Sequence, residues 1–102
     1  MRYPRRKRGY TQDMLSIREA AALVEPFFAG FPLSKYVMRH DDDIVFCPHS
    51  PQMVVGLHPV GVHRRTGELF IRTSSAAEFP DWYWNGTWEL MEDAIADEES
   101  RS

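Results

Sequence analysis

Histidines and the single cysteine are the residues of this chain that could bind a metal ion. His40, His49, His58 and His63 are scattered along the sequence. Cys47 and His49 are two residues apart and could share one face of a strand, where zinc would accept both. A second matching pair is missing, and His58 and His63, five residues apart, would fall on opposite faces of a strand. The spacing therefore predicts no metal site, and we expect no cofactor.

Cys47 could also act as a nucleophile, which would require a base and an electropositive setting. It lies instead between Phe46 and Pro48 in an apolar stretch, where a cysteine usually behaves as a small hydrophobic residue. The sequence has no phosphate-binding loop, dinucleotide fingerprint or nucleophile elbow. We therefore expect a protein without catalytic residues. A small metal- or cysteine-dependent enzyme that uses Cys47 and nearby histidines is the alternative.

Three consecutive carboxylates, Asp41, Asp42 and Asp43, form a run rather than a spaced pair of catalytic acids. At the tip of a hairpin, such a run is either solvated or in contact with a basic partner. Glu68 and Glu78 are possible neighbours in that contact.

The aromatic segment "FPDWYWNGTW" offers a second candidate for partner contact. Trp82 and Trp84 are expected to pack on a sheet while Tyr83 points outward. An exposed aromatic patch would instead mark a protein interface, because Trp and Tyr are enriched at binding hot spots. The candidate partner-binding residues are therefore Asp41, Asp42, Asp43, Glu68, Glu78, Trp82 and Trp84.

Residues 14–25, which precede these candidates, are predicted to form a helix, because apolar side chains recur there every three or four positions. Asp13 or Ser16 could cap its start, and Ser16 has the spacing of a capping box. Pro26 either ends the helix or opens one more short turn through the two phenylalanines that follow.

Strand patterns dominate the middle of the chain. Residues 34–40 and 44–48 are predicted to pair as a hairpin across the aspartates, and residues 53–57 form a third strand. Residues 60–71 are predicted to form a second hairpin. A loop at 64–67 would place His63 opposite Glu68. The apolar face of this hairpin would then hold Val60, Val62, Leu69 and Ile71.

Two further features of this second hairpin follow from the same register. Its histidines and arginines would lie at the tip or on the outer face. Gly67 would supply the left-handed conformation of the loop, and Phe70 would lie over Gly61.

The C-terminal part is predicted as a turn or helix at 80–84, a break at Asn85-Gly86 and a helix at 87–96. We therefore expect a single α+β domain over residues 11–96. It would have a small antiparallel sheet of four to five strands, an N-terminal helix packed on one face and a short C-terminal helix. Residues 1–10 are expected to be a disordered basic arm and residues 97–102 an acidic tail.

Charge is distributed unevenly between the first ten residues and the rest of the sequence. Residues 1–10 carry five basic groups and no acid, whereas residues 11–102 carry 7 basic and 15 acidic groups, a net charge of −8. An acidic body suits a cationic partner and argues against nucleic acid. Acidic groups that only keep the protein soluble are the alternative.

Cellular location is predicted from the same composition. No apolar run approaches the ~20 residues that span a bilayer, and no apolar segment follows the basic start. The single cysteine fits a reducing compartment. We therefore expect no membrane contact and a cytoplasmic location.

One segment, "VVGLHPVGVHRRTGELFIRTSS", follows a helix of the "LSIREAAALVEPFF" kind. Together they resemble the YrhB-like immunity-protein family, the immunity protein 35 group, over roughly residues 14–88. The residues that match are Gly56, Pro59, Val60, Val62, Thr66 and Gly67.

The resemblance implies a protein without catalytic residues that neutralises a bacterial toxin made in the same cytoplasm, by binding it directly. A nucleic-acid-associated domain that uses the basic arm is a further alternative, which salt-dependent binding would reveal.

Overall fold

The computed structural model describes residues 14–50 and 57–101. Within them, the chain forms an α+β fold in which the first and last helices cover one side of an antiparallel sheet and the short helix between them lies on the other side. The strands are β1 Leu33–His40, β2 Asp43–Pro48, β3 Val60–His63, β4 Glu68–Phe70 and β5 Glu89–Leu90. The helices are α1 Ile17–Val24, α2 Asp81–Asn85 and α3 Met91–Ser100, and short 3₁₀ turns span Glu25–Phe28 and Ala76–Glu78.

The five strands of the sheet lie in the order β4-β3-β2-β1-β5. Every neighbouring pair is antiparallel, which confirms the predicted fold class. The β1–β2 hairpin turns at Asp41 and Asp42, as the sequence predicted. The predicted strand at 53–57 lies outside the described residues except for Leu57, and the basic arm at 1–10 lies wholly outside them.

Helix α1 begins through local side-chain hydrogen bonds. The backbone N–H of Glu19 donates to Ser16 Oγ at 3.0 Å, and the N–H of Ser16 donates to Glu19 Oε1 at 2.8 Å. This is the predicted capping box, and it makes Ser16 the N-cap. The 3₁₀ turn at Glu25–Phe28 continues the chain beyond the helix and buries Phe28.

The main core lies between helices α1 and α3 and one face of the sheet, which we call the helix side. Residues three or four apart on α1 turn toward the strands, because that spacing matches the helical repeat. Burial of these apolar side chains supplies most of the stability of the fold. The members with almost no exposed surface are Ile17, Ala20, Val24, Phe28, Val37, Ile44, Phe46, Val60, Val62 and Ala94.

The β3–β4 hairpin has the predicted register. His63 lies opposite Glu68 and Gly61 opposite Phe70. The loop glycine, Gly67, has φ 81°, the left-handed conformation that this tight turn needs. A Cβ atom built on Gly61 would lie 2.3 Å from Phe70 Cζ, so the ring covers the glycine as predicted.

Ile71 departs from the predicted apolar face. The ladder ends at Phe70, and Ile71 has φ 59°, which turns its side chain away from the helix side. It packs instead with Met38 and Val45 on the opposite face of the sheet. A backbone conformation that β-branched residues rarely adopt therefore overrides the strand alternation.

Arg64 is the second departure, because it was expected at the hairpin tip and is only 5% exposed. Its Nε donates to the carbonyl of Leu15 at 2.9 Å, and its Nη2 donates to Glu98. The guanidinium therefore lies beneath the start of α1, where burial lowers its pKa. The two partners of the guanidinium lie 49 and 34 residues away in the sequence.

The C-terminal helix differs from the prediction at both of its ends. Residues 87–88 are not helical, and β5 pairs with β1 before α3 starts. Helix α3 then continues through Ser100, so residues 97–100 are not a separate tail. Asp97 lies 3.1 Å from Arg39, and Glu98 binds Arg64. These ion pairs hold the last turns of α3 against the rest of the domain.

Candidate partner-binding surface

The face of the sheet opposite α1 and α3, which we call the outer side, is covered by residues 72–88, which include α2. Met38, Val45 and Ile71 are buried beneath this segment. Gly86 comes so close to the sheet that an added Cβ would lie 2.3 Å from Met38 Sδ. The candidate partner-binding residues lie on this covering segment and at the adjoining end of the sheet.

The three consecutive aspartates have different environments at the end of the sheet. Asp42 accepts a hydrogen bond from Arg65 Nε at 2.5 Å, and Asp43 Oδ1 lies 2.8 Å from His63 Nδ1. Asp41 has φ 53° and a side chain that is 88% exposed, with His40 at 3.6 Å. Of the three, Asp41 is therefore the carboxylate most available to a partner.

A row of polar side chains crosses the outer side beside these aspartates. The paired positions place Glu68, His63, Asp43 and His40 on four neighbouring strands. Trp82 stacks on His40, with the ring centroids 4.5 Å apart and the planes within 4°. Trp82 is therefore half-buried by contact with its own sheet, while Glu68 is exposed at the far end of the row.

The Asp43–His63 pair has the form of the acid and base of a hydrolase. A nucleophile would have to lie within hydrogen-bond reach of the histidine. Cys47 is four residues along β2 from Asp43, which is roughly 13 Å at ~3.3 Å per residue. Cys47 is therefore too far away for this histidine to act as its base. The Asp43–His63 contact instead links strand β2 to strand β3. Among the described residues, no three His, Cys, Asp or Glu side chains group as metal ligands would.

Burial raises the pKa of the Cys47 thiol to about 11. Burial also raises the pKa of Tyr83, with a further contribution from Cys47, so the two side chains are close on the outer side. Since the thiolate is the nucleophilic form, a neutral Cys47 is unsuited to nucleophilic catalysis at pH 7.

We expect Cys47 to react slowly with thiol reagents in the folded protein. A pKa raised from 9 to about 11 leaves about 100-fold less thiolate at pH 8 than in the unfolded chain. The rate of reaction with a chromogenic disulfide should therefore rise by about that factor in denaturant, after correction with a free thiol. Equal rates in both states would contradict a protonated, partly buried thiol.

Four rings form an aromatic patch, which consists of Phe79, Tyr83, Trp84 and Trp88. Ring centroids lie 5.2 Å apart for Phe79 and Trp84, 5.1 Å for Tyr83 and Trp84, and 5.9 Å for Tyr83 and Trp88. Trp84 is 60% exposed despite these contacts. The patch therefore presents a large indole to solvent on a support of neighbouring rings.

The prediction that Trp82 and Trp84 pack together on the sheet is wrong for Trp84. It assumed that residues two apart share a face, as they do in a strand. Residues 81–85 form helix α2 instead, in which a spacing of two turns the side chain to the opposite face. Trp82 therefore packs inward, Tyr83 is half-buried rather than outward, and Trp84 projects into solvent.

Glu78 supports the covering segment from its start. Its Oε1 accepts a hydrogen bond from the backbone N–H of Arg72 at 2.9 Å, and the side chain stays at the surface.

Sequence reasoning missed Asp81 as part of this surface. Asp81 opens α2 and is exposed, and its position three residues before Trp84 was the available signal.

A groove lies on the helix side of the domain. It has a volume of about 560 Å³, and its lining includes the charged residues Arg18, Lys35, Glu92 and Glu99. Arg18 and Glu99 approach to 3.6 Å. Because two basic and two acidic groups line this groove, its charge favours neither cationic nor anionic ligands.

No family model, curated protein or solved structure matches this chain. The resemblance to immunity proteins therefore stays a hypothesis. Within residues 14–50 and 57–101, the longest helix has ten residues, and none is long and apolar enough to cross a bilayer.

Proposed function

We propose that this chain is a binding protein without catalytic activity that neutralises a bacterial toxin domain by direct contact. The aromatic patch around Trp84 is the observation that carries the binding role. The choice of a toxin as the partner comes from the resemblance to immunity proteins, which implies a cytoplasmic location for both proteins.

Exposure of Trp84 supports a protein partner. An indole that is 60% exposed leaves a large apolar area in water, which a partner would remove on binding. Tryptophan is also among the residues most enriched at interface hot spots. Because Phe79 and Tyr83 already hold the indole, little side-chain freedom would be lost when the complex forms.

Charge supports the same proposal. Residues 11–102 have a net charge of −8, and Asp41 projects from the end of the sheet. A toxin that acts on nucleic acid has a basic cleft, and complementary charge would mainly raise the rate of association with it. Asp42 and Asp43 hold Arg65 and His63, so their replacement would also disturb the sheet.

The enzyme alternative has less support. Its proposed nucleophile is a thiol whose pKa is raised to about 11, and it lies roughly 13 Å along β2 from Asp43, the partner of His63. A binding surface requires neither group.

We expect Trp84→Ser to weaken binding to the cognate toxin domain by about 30-fold, the loss typical of a hot spot. Titration calorimetry with the purified domain measures this change. Phe27→Ser is the matched control, because Phe27 is 51% exposed in the 3₁₀ turn that follows α1. We expect the control to bind like the wild type.

Association rates measured at low and high salt test the role of Asp41 in the same complex. Asp41→Ser should slow association at low salt, and the difference from the wild type should shrink at high salt.

If the wild type fails to bind the toxin domain and fails to protect cells that express it, the proposal is wrong. If Trp84→Ser and Phe27→Ser bind as tightly as the wild type, the aromatic patch is not the interface.

A further inference from the structure

From the arrangement of α2, we infer that the aromatic patch binds an arginine side chain of the partner protein, stacked on the Trp84 indole and paired with the Asp81 carboxylate. This inference deepens the proposed function and rests on it, because it names the chemical group that the surface accepts.

Spacing on α2 brings the two groups together. Asp81 and Trp84 are three residues apart within the helix, so their side chains are neighbours on its surface. Both side chains are exposed. A partner side chain that reaches Trp84 would therefore meet the Asp81 carboxylate beside it.

Charge around the patch favours a cation over an anion or a purely apolar group. The segment from Thr73 to Trp88 contains two acids, Glu78 and Asp81, and no basic residue. Asp81 has no hydrogen-bond or ion-pair partner among the described residues. Arg72 lies near Glu78, but it contacts that residue through its backbone N–H. The carboxylate beside the indole is thus free to pair with an incoming cation.

Arginine fits this arrangement better than lysine does. Its planar guanidinium can stack on an indole face and donate two parallel hydrogen bonds to a carboxylate. Tryptophan has the strongest cation–π attraction of the aromatic side chains. Lysine would gain the charge attraction but neither the stacking nor the paired hydrogen bonds.

Capped pentapeptides of alanine with a central arginine, lysine or citrulline provide the test without the toxin. Citrulline keeps the shape of arginine and removes its charge. The Trp84 indole N–H resonance, assigned from its loss in Trp84→Leu, reports binding in NMR titrations. We expect the arginine peptide to bind at least about threefold more tightly than the citrulline peptide, with the lysine peptide between them.

Matched variants of the protein separate local pairing from overall charge. Asp81→Asn should reduce the preference for arginine, whereas Asp93→Asn should not, since Asp93 is exposed in the first turn of α3. Equal binding of the arginine and citrulline peptides, or equal losses in the two variants, would overturn the inference. Lysine binding as tight as arginine binding would overturn the choice of arginine. None of these results depends on the toxin, so failure of the proposed function would be recognised separately.

Discussion

Glu98→Ala is expected to lower the free energy of unfolding by about 3 kcal/mol, because it leaves a buried guanidinium without its carboxylate. Arg64 is 5% exposed and binds both Glu98 and the carbonyl of Leu15. Glu98 Oε2 also accepts a hydrogen bond from the backbone N–H of Ile17, the first residue of α1, at 3.0 Å. The substitution therefore removes one interaction with the hairpin loop and one with the start of a helix.

The backbone strengthens this junction around Arg64. Its N–H donates to the carbonyl of Asp42 at 3.0 Å, and its carbonyl accepts from the N–H of Leu15 at 2.9 Å. The loop, the β1–β2 turn and the start of α1 therefore meet at one residue. Loss of the charge at Glu98 should loosen all three together.

Chemical denaturation with urea would measure the effect, and Glu99→Ala is its matched control. Glu99 lies 3.6 Å from Arg18, with both side chains more than 60% exposed, so that contact contributes little. We expect the control to change the free energy of unfolding by less than about 0.5 kcal/mol. Similar losses in the two variants would mean that the buried pair has no special role.

Val62→Asp is expected to destabilise the domain by about 4 kcal/mol, since it places a carboxylate in the apolar core. Val62 has no exposed surface and lies opposite Ile44 on β2 and Leu69 on β4. The substitution loses apolar packing as well, because Val62 belongs to the main hydrophobic core.

Thermal unfolding followed by circular dichroism would measure this loss. Leu23→Asp is the comparison, because Leu23 lies on the exposed side of α1 and is 38% exposed. We expect a much smaller shift in Tm there. An unchanged Tm for Val62→Asp would show that this face of the hairpin is not the core.

Local patterns in the sequence determined the parts of the fold whose partners are close along the chain. Ser16 and Glu19 form the capping box within one turn, and Gly67 closes a four-residue loop. Once that loop is placed, strand alternation leaves only one register with Val60 and Val62 facing the core. These contacts depend on few residues and are little affected by the rest of the domain.

The candidate site depended on features that local patterns do not encode. The faces of Trp82 and Trp84 depend on whether residues 81–85 are a helix or a strand, and five residues are too few for periodicity to decide. The aspartate run was predicted at a hairpin turn, but the side-chain partners of Asp42 and Asp43 come from β3 and its loop.

Tertiary structure alone decided the burial of Arg64 and the length of α3. Arg64 resembles a solvated loop residue in sequence, and residues 97–100 resemble a polar tail. Their mutual contact joins positions 34 residues apart and gives each charge its partner. A charged side chain is stable in the interior only when such a partner is present, and that partner becomes known only when the chain has folded.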